Sequence, residues 1–147
     1  MRTLDTTHSV PLKQSSVRWL RILLAAFCSE VGVIVVISAV MVIHRFVLAP
    51  GLSAEQYGEF EHRASYYVAA PAAAISTFVC AWYAIRRLKS GFVINGALVG
   101  TVATVLTLGF IAGARPEDRF MYLVSYAVRI AAGYAAGLMV QKKGSHE

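Results

Sequence analysis

Residues 19–43 read WLRILLAAFCSEVGVIVVISAVMVI, twenty-five positions with only two charges, Arg21 and Glu30. As a helix rising 1.5 Å per residue, this run reaches about 37 Å, enough to cross roughly 30 Å of bilayer hydrocarbon. Three further apolar runs follow at about 66–85, 92–114 and 120–140, separated by short charged connections. Few of the 147 residues remain for a soluble domain. The pattern predicts an all-α integral membrane four-helix bundle over 17–141, with a flexible tail at 1–16 and a short tail at 142–147.

Composition agrees. Hydrophobic residues make up 57% of the chain and charged residues 15%, well below the roughly 25% charge of an average soluble domain. A charge at the bilayer centre costs at least about 2.5 kcal/mol on insertion scales, which accounts for the deficit. The net charge of +6 raises nucleic acid as a partner, but the placement of the charges excludes that reading. Arg2, Lys13, Arg18 and Arg21 precede or open the first run; Arg86, Arg87 and Lys89 fill the second connection; Lys142 and Lys143 follow the fourth run. The first and third connections hold Arg45, Arg63, Arg115 and Arg119, together with Glu55, Glu59, Glu61, Glu117 and Asp118. This alternation is the positive-inside pattern and predicts cytoplasmic termini. The partner implied is the lipid bilayer. The first run is too long for a signal-peptide core and is expected to be a retained span. Cys28 and Cys80 both fall within runs and are expected to be small buried fillers.

The charges inside the spans are the sharpest functional signal. Glu30 lies eleven residues past Trp19, about 16 Å from the basic edge. Arg129 lies twelve residues before Gln141, about 18 Å from the same edge. Opposite charges at one depth in a low dielectric are expected to pair. The pair is a structural bridge between the first and fourth spans or part of a site for transport or sensing; the further alternative is that each charge meets a partner subunit. Around Arg129, steps of three and four residues place Tyr122, Ser125, Tyr126, Gly133, Ala136 and Gly137 on one helix face. The third run carries a matching stripe of Gly96, Gly100, Ala103 and Thr107. Gly96/Gly100, Gly109/Gly113 and Gly133/Gly137 all have the spacing of close helix packing. That packing is either within the bundle or between copies.

The connections supply weaker signals. Pro50-Gly51 ends the first helix, and Ser53 with Gln56 has the form of a capping box. A short helix from about Ala54 is expected to lie along the membrane surface before the chain turns into the second span. On that helix Glu55, Glu59 and His62, with His44 nearby, have a spacing suited to a divalent cation. The competing reading, a solvated face with a Glu59–Arg63 pair, is preferred. No cofactor, metal site or catalytic set is expected: motifs for nucleophilic serine, zinc or phosphate binding are missing from the sequence. The short connections predict that spans two, three and four pack in sequence, with span one closing the bundle.

Residues 82–100, WYAIRRLKSGFVINGALVG, combine a small-residue helix end, a basic turn and a helix opening Asn95-Gly96-x-x-x-Gly100. In this the chain resembles small four-span bacterial inner-membrane proteins. The resemblance implies a bacterial inner-membrane location and brings no activity or functional residue with it. The function expected is that of a non-enzymatic accessory or scaffolding subunit, packing with itself or with a larger membrane complex. The alternative is a small transporter or channel component that uses Glu30 and Arg129.

Overall fold

The computed structural model describes residues 17–144, so the expected tail at 1–16 and the end of the second tail lie outside the described residues. Among the described residues there are four long helices: α1 (Trp19–Ile43), α2 (Ala54–Ile85), α3 (Phe92–Gly113) and α4 (Arg119–Gly144). Each is long and apolar enough to cross a membrane, and no strand occurs among the described residues. The protein is an all-α, multi-pass membrane bundle.

Local chemistry sets the boundaries. A π-turn over His44–Leu48 continues α1, and the Ala49 N–H donates to the His44 carbonyl at 2.9 Å. Pro50 and the positive φ of Gly51 then turn the chain. Ser53 caps α2: its hydroxyl accepts from the Gln56 N–H at 3.3 Å, and the Gln56 side chain accepts from the Ser53 N–H at 3.0 Å. Ser53→Ala is therefore expected to cost about 1 kcal/mol, read as a lower melting temperature in detergent. At the basic end Gly91, at φ 73°, makes the turn into α3. Asn95 secures that turn by donating to the Gly91 carbonyl at 2.8 Å and accepting from the Arg18 N–H at 3.2 Å.

Two features of the architecture differ from the sequence expectation. First, no separate surface helix occurs among the described residues. α2 runs unbroken from Ala54, because nothing between the cap and Pro71 interrupts helical hydrogen bonding, and the helix also continues through Pro71. The α1–α2 hairpin consequently reaches beyond the α3–α4 connection. His62 on α2 is 3.8 Å from Asp118 in that connection, and the eight residues from 54 to 62 add about 12 Å.

Second, the helices do not pack in chain order. α3 lies against α4, and α2 lies against both α1 and α4, while α1 touches α3 less extensively. α2 and α3 meet only sparsely despite the short turn that joins them, and α1 and α4 have next to no backbone contact. The order around the bundle is thus α1, α2, α4, α3, with α1 and α4 on a diagonal.

The apolar core occupies the half of the bundle nearer the basic end. There Ile22, Ala25 and Ala26 of α1 meet Ala81 and Ile85 of α2, Val99 and Ala103 of α3, and Ala136 and Val140 of α4. Small side chains dominate, as expected where lipid is as apolar as the side chains and packing must come from close approach. Large apolar residues such as Leu20, Phe27, Ile34 and Phe110 point outward, where acyl chains meet them. Cys28 joins this outward face and Cys80 is half-buried. The expectation of a buried Cys28 is therefore corrected: the face of α1 that packs is Ala25, Ala26, Ser29 and Val33, and Cys28 falls on the other side.

Candidate functional site

The α3–α4 contact builds the site. A Cβ added at Gly96 would collide with the Gly133 carbonyl oxygen, and one at Gly133 with the Gly96 carbonyl oxygen. One at Gly137 would lie 2.6 Å from the Val93 Cα, and one at Gly100 would lie 2.8 Å from the Ile130 Cα. These four glycines therefore sit between two helices of the same chain. Gly109 and Gly113 have the same spacing but face open space. Sequence spacing alone could not separate the two cases; the neighbouring buried polar residues on α3 distinguish them.

Because Gly100 packs directly on the backbone of Arg129, the next turns of α3 stand beside the guanidinium. Its Nη1 donates to Thr107 Oγ1 at 3.2 Å and to the Ala103 carbonyl at 3.3 Å. The Thr107 hydroxyl can still donate to the Ala103 carbonyl one turn back, at 3.1 Å. The same nitrogen donates to Glu30 Oε1, which reaches across the bundle from α1. Glu30 thus meets one nitrogen end-on instead of the two-pronged fork open to a carboxylate and an arginine. The buried Nε of Arg129 has no acceptor within the described residues. Arg129 is 5% exposed as a residue, and the Glu30 side chain 17%.

A polar layer surrounds the pair. The Tyr126 hydroxyl donates to the Thr107 carbonyl at 2.6 Å, and the Thr104 hydroxyl donates to the Gly100 carbonyl at 3.0 Å. Ser125 is also buried, and Tyr122 lies partly buried against Tyr126. Next to Glu30 in sequence, Ser29 shares a 2.8 Å hydrogen bond with Thr77 of α2, both fully buried. This hydroxyl pair did not stand out in the sequence, although a serine adjoining an in-span glutamate was its available signal. Above it, a Cβ on Gly32 would lie 2.9 Å from Ser76 Oγ, so α1 and α2 approach closely at the level of the charges. The layer therefore ties all four helices together at mid-depth: α1 to α2 through hydroxyls, α3 to α4 through glycines, and α1 to α4 through the ion pair.

The remaining candidates do not assemble. Glu59 pairs with Arg63 at 3.6 Å on an exposed face, His62 faces Asp118, and His44 stacks on Phe60 with ring centres 3.3 Å apart. No group of three His, Cys, Asp or Glu side chains converges among the described residues. No protein-family model matches the chain, and no curated protein or solved structure matches it significantly.

Proposed function

We propose that the protein is a non-enzymatic accessory or scaffolding subunit of a bacterial inner membrane, with both termini in the cytoplasm. It packs with itself or within a larger membrane complex. The observation that carries this reading is the closed arrangement around Arg129. The guanidinium is buried and bound to Glu30, Thr107 and the Ala103 carbonyl, so the in-span charges serve the bundle itself. A scaffold requires such a fixed arrangement, whereas a permeation path requires water to reach Glu30. Extraction from the native membrane with a lipid-retaining polymer tests the reading. A particle much heavier than the 15.9 kDa chain is expected, together with no proton or ion flux in reconstituted vesicles. A size equal to one chain in its lipid disc would contradict it.

The transport reading keeps one supporting observation, the buried Nε of Arg129, which has no acceptor among the described residues. A flux lost on Glu30→Gln would establish that reading and displace the scaffold.

Orientation follows from the alternating charge and is tested separately. In a background where Cys28 and Cys80 are replaced by alanine, Ser53→Cys is expected to label with an impermeant thiol reagent applied from outside. Ser90→Cys is expected to label only after the membrane is opened. The reverse pattern would invert the topology.

A further inference from the structure

We propose that the cleft between the end of α1 and the start of α2 binds the phosphoethanolamine headgroup of a bilayer lipid. The cleft has a volume of about 150 Å³. Arg45, Phe46, Tyr57, Phe60 and Glu61 line it, with Met41 on its apolar side.

Its depth in the membrane is the first argument. From Trp19 to Arg45 is twenty-six residues, about 39 Å of helix. That exceeds the roughly 30 Å of hydrocarbon, so Arg45 stands past the apolar layer on the polar side of the membrane. Independently, His62 meets Asp118 of the charged α3–α4 connection, which puts the adjacent Glu61 at the level where the shorter hairpin leaves the apolar layer.

Charge is the second argument. Arg45 and Glu61 line one cleft, yet neither forms an ion pair among the described residues. Opposite, unmatched charges on one rim complement a zwitterion. Arg45 suits a phosphate, since guanidinium and phosphate make strong charge-assisted hydrogen bonds. Glu61 suits an ammonium that carries N–H donors. A cavity of about 150 Å³ admits a benzene-sized group, and so takes the two-carbon ammonium arm. A quaternary ammonium is bulkier and offers Glu61 no hydrogen. An anionic headgroup without an amine leaves Glu61 unanswered.

The walls are already fixed. His44 stacks on Phe60, the Tyr57 hydroxyl donates to the Ala49 carbonyl at 2.8 Å, and the Leu52 N–H donates to that hydroxyl at 3.3 Å. The Arg45 guanidinium is held 5.3 Å from the Tyr57 ring centre. The aromatic wall and the Arg45 guanidinium are therefore in place before a ligand arrives, while Glu61 stands exposed on the rim.

The test is native mass spectrometry of the delipidated full chain, offered equal amounts of phosphatidylethanolamine, phosphatidylcholine and phosphatidylglycerol with identical acyl chains. Phosphatidylethanolamine is expected to be retained about tenfold more strongly than either competitor, the scale of one hydrogen bond to a charged group. Glu61→Gln is expected to abolish that preference, and Arg45→Gln to weaken retention of phosphatidylethanolamine and phosphatidylglycerol alike. Glu59→Gln, on the same helix but outside the cleft, is expected to leave retention unchanged. Equal retention of the three lipids, or unchanged retention in both cleft variants, would overturn the proposal. Retention of free phosphoethanolamine as strongly as the lipid would overturn the lipid as the source of the headgroup.

Discussion

Gly133→Leu is expected to prevent the bundle from forming, and Gly133→Ala to weaken it severely. A Cβ there meets the Gly96 carbonyl oxygen, a backbone atom that cannot swing aside as a flexible side chain could. Ordinary overpacking costs about 1–3 kcal/mol per site. A single methyl at Gly133 belongs at the top of that range, because α3 and α4 must separate along their whole contact to admit it. Separation also withdraws the Ala103 carbonyl and Thr107 from Arg129. Gly109→Leu serves as the contrast, since its added side chain enters open space. Its melting temperature is expected to match that of the wild type, and if a second copy packs on that face, only crosslinked dimer is lost. Similar damage from Gly109→Leu and Gly133→Leu, followed by helicity against temperature in detergent, would remove the packing account.

Breaking the ion pair has the second large effect. Removing one partner of a buried pair costs about 3–5 kcal/mol, because the other charge is left without its counter-charge. The two single variants need not be equal. After Arg129→Ala, Glu30 can take up a proton and become neutral. After Glu30→Ala, Arg129 keeps its charge, because a guanidinium stays protonated in proteins. Thr107 and the Ala103 carbonyl remain as its acceptors, but neither supplies a negative charge. Glu30→Ala is therefore expected to lower thermal stability at least as much as Arg129→Ala. Equal, wild-type melting of both would mean that neither charge depends on the other.

The fold class was legible because membrane spans announce themselves by length and charge exclusion. The meeting of Glu30 with Arg129 was foreshadowed because helical rise converts residue counts into ångströms and puts the two at one level. The Arg129 face was legible for a related reason: hydroxyls and glycines recur on it at helical steps between residues 122 and 137. Neighbour order was not legible. In a soluble bundle each helix shows its inner face by polarity, but here Phe110 and Val99 are equally apolar while one faces out and the other is fully buried. A tight turn such as 89–91 ties only the ends of α2 and α3, leaving α2 free to pack on α4. The continuous α2 was missed for a local reason. Charges at Glu55, Glu59 and Glu61 mark where the apolar run ends, but they do not stop a helix that the Ser53 cap has started.

The central claim is that a charge pair spanning the diagonal locks four helices into one arrangement. A double-mutant cycle in detergent measures it directly, using Glu30→Gln, Arg129→Met and their combination, which removes both charges at similar volume. The account predicts two strongly destabilised single variants and a double variant that regains much of the loss, giving a coupling at the upper end of about 0.5–3 kcal/mol for residues in contact. Strictly additive losses, with the double variant the least stable of the three, would contradict it.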